Sequence, residues 1–352
     1  MTRPDGISRR YLGKAGLLLA TSLAMPALKA QTRQRKLERT RIVIAVGGKA
    51  ALGYLPLTIS EQLGYFKAEG LDVEINDFGT GARASQTVVS GAADVCSGTF
   101  ARTIELQFKN QSFQSFVMQA RTPQIAFGVS VRTLPHFKNV ADLKGRKIGV
   151  ASLGSASYFT AGLVLARFDL KPSDVSFVEL ASTSSALAAL RSGQIDAISH
   201  TDPVMTMLEQ KGDVKIIAET RTLKGTVDVF GGPMPSTCLY SAGDFIQKNP
   251  NTCQALANAI VHGLKWLQTA GPGDIIKSVP DIYLLGDRAL YLASFDQVRE
   301  SISLDGLMPD NGPRTALRAL ASLMPEIKAE KIDLTKTFTN AFARRAKVSF
   351  KA

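Results

Sequence analysis

The sequence predicts an α/β protein made of two similar lobes, each a mainly parallel β-sheet flanked by helices. Segments of strand character alternate with segments of helical character along most of the chain, which is typical of parallel sheets covered on both faces. In addition, the phrase SGAADV at Ser90 returns as SGQIDA at Ser192, about one domain length later. In each copy the glycine is suited to end a helix and the aspartate to start a parallel strand. The phrase is a common connection between helix and strand, so the repeat alone does not establish two lobes.

The strands predicted in the first part of the chain are short, apolar segments bounded by glycine or polar residues. They are RIVIAV at 41–46, LDVEIND at 71–77, DVCSG at 94–98, FQSFVMQA at 113–120 and QIAFGVSVR at 124–132. Helices are predicted between them, in LPLTISEQLGYF at 55–66, GTGARASQTVVSG at 79–91 and FARTIELQFKN at 100–110.

The alternation then restarts. Strands are predicted within NVADLKGRKIGVAS at 139–152 and in VSFVEL at 175–180, DAISH at 196–200, VKIIAE at 214–219 and STCLYSA at 236–242. The intervening helices are GSASYFTAGLVLARF at 154–168, SSALAALRSG at 184–193 and PVMTMLEQ at 203–210. A long helix follows at 249–268, with Asn249 as its predicted cap and Pro250 at its first position. One stripe of this helix is apolar: Leu256, Ile260, Leu264 and Leu267.

The composition is that of a globular protein, and it argues against nucleic-acid binding. The 352 residues are 45% hydrophobic and 20% charged, with a net charge of +12. Much of that charge lies in residues 1–40, which hold nine lysines and arginines against two acidic residues. The remainder contains no basic run accompanied by aromatic residues, so no nucleic-acid partner is expected.

The N-terminus has the pattern of an export signal. SRRYLGKAG is followed by the short apolar run LLLATSLAMPALKA, which is too short and interrupted to span a bilayer. Arg9 and Arg10 after Ser8 match the twin-arginine pattern, so residues 1–30 are predicted to be a twin-arginine-type signal peptide. A general secretory signal is the alternative. Either signal predicts a periplasmic protein.

The cysteines and histidines do not predict a metal or cofactor site. Cys96, Cys238 and Cys253 are an odd, scattered set, and we expect buried free thiols. The three histidines lie far from one another and from the cysteines in the sequence.

Candidate ligand-binding residues lie in the loops that follow the predicted strands, because ligands of open parallel sheets bind beyond the carboxyl ends of the strands. Several of these loops lead directly into helices, whose first amides are free to bind an anion. The candidates are Lys49, Tyr54, Thr80, Gly81, Thr99, Phe100, Ser155, Ala156, Ser157, Tyr158, Thr201 and Asp202.

Each candidate also has a structural interpretation. Ser155 and Ser157 are suited to cap a helix, and Asp202 before a proline is suited to the same role. Tyr54 can belong to the core, and a loop lysine such as Lys49 is usually solvated. His200 is expected to be packed.

The sequence resembles the substrate-binding proteins of nitrate/sulfonate/taurine-type ABC importers and the related thiamine-pyrimidine-precursor binding proteins. The resemblance rests on LGYFK at 63–67 with EGLDVE at 69–74, on ADLKGRKIGV at 141–150, on GSASYF at 154–159, on ALRSGQIDAI at 189–198 followed by Asp202-Pro203, and on LTKTFTNAFARRA at 334–346. It covers about residues 41–346.

The resemblance implies a two-lobed, type II-like periplasmic binding protein fold, with ligand held between lobes that are joined by hinge strands. Lobe 1 is then expected at 41–128 plus 236–346, and lobe 2 at 129–235. The expected partners are a small-molecule ligand and the permease and ATPase of an ABC transporter, and the protein is expected to be a monomer.

The ligand is expected to be a small organic anion, such as a sulfonate, a taurine-like zwitterion or an organic acid. The loops supply hydroxyls, glycines and helix N-termini but few cations, and Tyr54, Phe100 and Tyr158 can wall an organic substituent. Asp202 leaves room for a ligand amine. Three alternatives stay open: a thiamine pyrimidine precursor as ligand, a role as a sensory module, and a desulfinase-like enzyme with Cys96 as nucleophile, which would require a depressed thiol pKa.

Overall fold

The computed structural model describes residues 36–180 and 182–352. The predicted signal peptide, residues 1–30, lies outside the described residues. Among those that are described, no helix has both the length and the hydropathy needed to cross a bilayer.

The first sheet has the strand order β2-β1-β3-β10-β4. Its strands are β1 Arg41–Val46, β2 Asp72–Asp77, β3 Val95–Thr99, β4 Phe113–Met118 and β10 Thr237–Ala242. β2 and β3 pair with β1 in parallel, whereas β10 runs antiparallel to both β3 and β4. Four strands therefore share one direction, and the strand that arrives from the other sheet opposes them.

The second sheet repeats this arrangement with the order β7-β6-β8-β5-β9. Its strands are β5 Ile125–Ser130, β6 Lys147–Val150, β7 Ser176–Glu179, β8 Ala197–Thr201 and β9 Val214–Glu219. β7 and β8 pair with β6 in parallel, and β5 is the antiparallel strand between β8 and β9. The predicted α/β class with two mainly parallel sheets is confirmed.

The repeated phrase has the same structural role in both sheets. Asp94 donates its backbone N–H to Val43 O at 2.9 Å, and its Oδ2 accepts from Val43 N at 2.8 Å. Asp196 makes the equivalent pair of bonds to Lys147 O and N, at 2.8 and 3.1 Å. Each aspartate thus fixes the start of β3 or β8 against the strand beside it.

The helices cover both faces of the sheets. They are α1 Leu55–Gln62, α2 Tyr65–Ala68, α3 Gly81–Val89, α4 Ala101–Phe108, α5 Ala156–Ala166, α6 Thr183–Ser192, α7 Val204–Gln210, α8 Leu223–Phe230, α9 Gly243–Lys248, α10 Pro250–Thr269, α11 Pro272–Ser278, α12 Arg288–Val298, α13 Gly312–Leu323 and α14 Ala341–Phe350. The predicted apolar stripe of α10 is buried in the core of the first lobe.

The helices differ from the sequence prediction in several places. Seven helices were assigned from the sequence, whereas the described residues contain fourteen, and the segment predicted as one helix at 55–66 is divided at Gly64 into α1 and α2. Asn249 does not cap α10, because its side chain donates to Phe245 O at 2.8 Å. The carboxylate of Glu38 takes that place and accepts from the N–H groups of Asn251 and Thr252. α8 was not predicted, since its segment TLKGTVDVF contains an internal glycine and β-branched residues that disfavour a helix locally.

The chain crosses between the sheets at residues 119–124 and again at 231–236. The crossings run side by side, with Ser236 N donating to Ala120 O at 3.1 Å and Ala120 N donating to Thr237 O at 3.1 Å. All of β5 pairs within the second sheet, so the predicted lobe boundary after residue 128 divides a strand that belongs to one sheet.

Candidate functional site

A cleft of about 590 Å³ lies at the carboxyl ends of the parallel strands, between the two lobes. Nine of the twelve predicted residues line it: Tyr54, Thr80, Gly81, Thr99, Ser155, Ala156, Ser157, Tyr158 and Thr201. They come from loops of both sheets, as expected from the position of strand ends in parallel folds. Ligand contact by these residues stays a prediction.

The first wall of the cleft depends on a close approach between two loops. A Cβ on Gly47 would lie 2.2 Å from the backbone of Thr80 and Gly81, so only glycine fits there. Asp77 holds the same loops in place, with Oδ1 accepting from Gly48 N at 2.7 Å and Oδ2 accepting from Lys49 N at 2.8 Å. Gly47 and Asp77 were not among the predicted site residues.

Helix α3 begins at this wall. Thr80 is its cap, and the Thr80 hydroxyl accepts from Arg83 N at 3.4 Å. The N–H groups of Gly81 and Ala82 precede the first intrahelical hydrogen bonds, and both residues line the cleft. The positive end of the α3 dipole therefore faces the ligand space.

The second wall is the start of α5. Ser155 Oγ accepts from Tyr158 N at 3.4 Å, donates to Ser152 O at 2.6 Å and lies 2.9 Å from Ser157 Oγ. Ser157 Oγ also accepts from Ala151 N at 3.0 Å. The capping role considered for Ser155 is confirmed, and the residue also lines the cleft. Two helix N-termini thus meet one cavity from opposite lobes.

Aromatic side chains form the apolar part of the lining. Tyr158 packs edge-on against Phe177, with ring centroids 4.7 Å apart. Tyr54 is 8% exposed, and burial raises the pKa of its phenol, which keeps it neutral. Tyr240 and Phe159 also reach the cleft, although neither was a predicted site residue.

The cleft also contains an ion pair that was not predicted from the sequence. Arg102 and Glu105 form a salt bridge across one turn of α4, with side chains 24% and 10% exposed. Burial raises the pKa of Glu105, and the charge of Arg102 opposes that rise. Arg102 and Glu105 are three residues apart on a helix that starts at the strand-end loop SGTF. This spacing could have predicted the pair from the sequence.

Three predicted residues do not line the cleft. Lys49 pairs with Glu61, with 2.5 Å between Nζ and Oε2. Phe100 is fully buried and packs edge-on against Phe338. Asp202 is enclosed in the second lobe, where its Oδ1 accepts from Thr206 N at 2.9 Å and lies 3.7 Å from Arg221 Nη1. In each case a partner outside the predicted loop determines where the side chain lies.

The cysteines have the predicted character of buried, free thiols. Burial raises the pKa of Cys96 to about 12, which disfavours the thiolate at neutral pH. His200 is packed as expected, with its Nε2 3.2 Å from Leu180 O. Within residues 36–180 and 182–352, no group of three or more His, Cys, Asp or Glu side chains is placed to hold a metal ion.

Comparisons with known proteins agree with the observed fold. A sequence profile described as NMT1/THI5-like matches residues 53–270, more than half of the chain. The chain belongs to the NMT1/THI5-like family. This match agrees with the family resemblance that the sequence phrases indicated.

Solved structures show the same fold as this NMT1/THI5-like protein. One from Bordetella bronchiseptica RB50 is 52% identical, covers 90% of this chain and 100% of its own, and superposes with a TM-score of 0.85. The alkanesulfonate-binding protein SsuA from Xanthomonas axonopodis pv. citri, bound to MOPS, is 16% identical, with coverage of 87% and 100% and a TM-score of 0.69. The periplasmic nitrate-binding protein NrtA from Synechocystis PCC 6803 is 13% identical, with coverage of 90% and 90% and a TM-score of 0.68. The periplasmic binding protein fold is confirmed.

Proposed function

We propose that this protein is the substrate-binding component of an ABC importer and captures a small organic anion in the cleft between its lobes. The main support for this proposal is that the N-termini of α3 and α5 line the same cavity. Their first-turn amides provide hydrogen-bond donors and a partial positive charge, the features that bind a compact anion without a dedicated cation.

The ligand class follows from the rest of the lining. The cleft combines the two helix N-termini with Tyr54, Tyr158 and Phe159, so it suits an anion that carries an organic substituent. Two proteins of the same fold are described as binding an alkanesulfonate and nitrate. A sulfonate or carboxylate with a small organic group fits the volume and the apolar wall better than bare nitrate.

The proposal includes the partners and the location that the sequence predicts. The closed protein would deliver its ligand to a membrane permease driven by an ATPase, and it would act in the periplasm as a monomer after export by the twin-arginine route. The desulfinase-like alternative is not favoured, because Cys96 is fully buried and the pKa of its thiol is raised.

A thermal-shift panel with isothermal titration tests the ligand class. The purified protein is titrated with alkanesulfonates, short carboxylates, nitrate and 4-aminopyrimidines. We expect sulfonates or carboxylates to raise the melting temperature, since a ligand selective for the native state at 100 times its Kd adds about 2.7 kcal/mol to the free energy of unfolding. A response to aminopyrimidines alone would overturn the anion proposal. A response to nitrate alone would show that the protein binds an anion without an organic substituent.

A further inference from the structure

A small chamber of about 50 Å³ opens from the cleft beside the first turn of α5. Gly154 and Ala156 line both spaces, so a ligand held at the α5 N-terminus is adjacent to the chamber. The volume is room for about three water-sized groups. Phe159, Phe230 and Leu320 make most of its wall apolar.

The chamber also contains a cluster of polar groups. Arg102 and Glu105 face it as an ion pair. Thr160 lies on the α5 side, is fully buried, and its Oγ1 has no hydrogen-bond partner among the described residues. A buried hydroxyl without a partner costs about 1–3 kcal/mol, so Thr160 is suited to a ligand group that completes its bonding.

The charges of Arg102 and Glu105 determine which kind of ligand group the chamber can accept. Arg102 and Glu105 compensate each other, so a third charge in this enclosed space would have no partner of its own. Burying such a charge is far more costly than burying a neutral group that forms hydrogen bonds. A neutral group that can donate and accept matches Glu105, Arg102 and Thr160 together.

We propose that this chamber selects ligands with a short arm that ends in a neutral hydrogen-bonding group, such as a hydroxyl, while the anionic group lies at the α5 N-terminus. This inference rests on the proposed function, because it requires an anion in the cleft. Asp202 was suggested by the sequence as the partner of a second polar group on the ligand. In the inference, the Arg102–Glu105 pair and Thr160 take that role.

Four sulfonates that differ at one position test the inference by titration calorimetry: ethanesulfonate, 2-hydroxyethanesulfonate, 2-aminoethanesulfonate and 2-carboxyethanesulfonate. We expect the hydroxyl compound to bind about tenfold more tightly than ethanesulfonate, the gain from one or two hydrogen bonds. The ammonium and carboxylate compounds should bind more weakly than the hydroxyl compound.

Two variants locate the preference in the chamber. Glu105→Gln leaves the Arg102 charge uncompensated, so the preference should move from the hydroxyl to the carboxylate compound. Thr160→Val keeps the side-chain shape and should reduce the hydroxyl preference by about threefold or more. The matched control is Thr58→Val in α1, which removes another buried hydroxyl that has no partner among the described residues. The control should leave all four affinities unchanged.

The possible results separate the inference from the proposed function. Measurable binding of ethanesulfonate supports the anion site whatever the chamber does. If it binds but the hydroxyl compound is no tighter, or if the hydroxyl preference is the same in Thr160→Val and in Glu105→Gln as in the wild type, the inference is wrong and the proposed function stands. Tightest binding of the ammonium or carboxylate compound to the wild type also overturns the inference. If none of the four sulfonates binds, the inference is wrong, and the proposed function then depends on the response to the short carboxylates in the thermal-shift panel.

Discussion

At the scale of single residues, Ser155 and Ser157 combine a role in the fold with a position in the lining of the cleft. Ser155 caps α5 and Ser157 accepts from Ala151 N, yet both line the cleft. The two roles can be separated, because Ser182 and Ser185 form a similar serine pair at the start of α6, outside the cleft lining. This second pair offers a control with the same local structure and no ligand nearby.

Replacing Ser155 and Ser157 together by alanine should lower both stability and ligand affinity. Loss of the cap costs about 1 kcal/mol in the free energy of unfolding. Loss of each neutral hydrogen bond to the ligand costs about 0.5–1.5 kcal/mol of binding, and more if the acceptor is charged. The double variant Ser182→Ala/Ser185→Ala should lose comparable stability and no affinity. Denaturant unfolding and titration calorimetry measure the two effects, and equal affinity in both variants would exclude Ser155 and Ser157 from the site.

At the scale of an element, α10 shows that a helix can be capped from a distance. Glu38 lies more than 200 residues before Asn251 and Thr252, and its carboxylate accepts from both of their N–H groups. Burial by itself would raise the pKa of Glu38, but the hydrogen bonds have the larger combined effect, so the pKa is lowered. The segment before β1 is thereby attached to the longest helix of the described residues.

We expect Glu38→Ala to destabilise the protein by about 0.5–1 kcal/mol at neutral pH, the lower part of the range for a lost cap, because the side chain is exposed. Since folding lowers the pKa of Glu38, its contribution is complete above the pKa of the unfolded chain and is lost as the pH falls through the lower folded value. Urea unfolding at neutral and acidic pH should therefore show a difference that disappears in acid. The exposed Glu326→Ala serves as control, and a difference that persists in acid would contradict this role.

At the scale of the whole molecule, crossing segments and packed helices connect the lobes. The crossing segments at 119–124 and 231–236 are hydrogen-bonded to each other, which provides a narrow hinge. α13 packs against α4 of the first lobe and α5 of the second, and Leu323 and Met324 near its end line the cleft. Opening of the cleft therefore requires α13 to change its contacts with at least one lobe.

The protein should become more compact when it binds its ligand, because a ligand that contacts both lobes favours the closed arrangement. Small-angle X-ray scattering should show a smaller radius of gyration at saturating ligand. The Ser155→Ala/Ser157→Ala variant, measured at the same ligand concentration, should show a smaller decrease. A radius of gyration that does not change on saturation would contradict closure by a hinge.

The local sequence was sufficient to predict the strands, about half of the helices and the strand-end loops, because alternation of apolar segments and the positions of glycine are local properties. It was sufficient for nine of the cleft residues for the same reason, since a residue that follows a parallel strand must lie at that edge of the sheet. The repeated aspartates could be recognised because each acts on the strand next to its own.

The positions of several charged side chains depend on tertiary structure and could not be predicted locally. Asp202 is drawn into the second lobe by Arg221, Lys49 pairs with Glu61, and Glu38 takes the capping place predicted for Asn249. A buried or partly buried charge goes where its partner is, and these partners are between 12 and more than 200 residues away along the chain. Local patterns of apolar residues and glycine specify an α/β protein with strand-end loops at a cleft, and packing specifies which charged side chains enter that cleft.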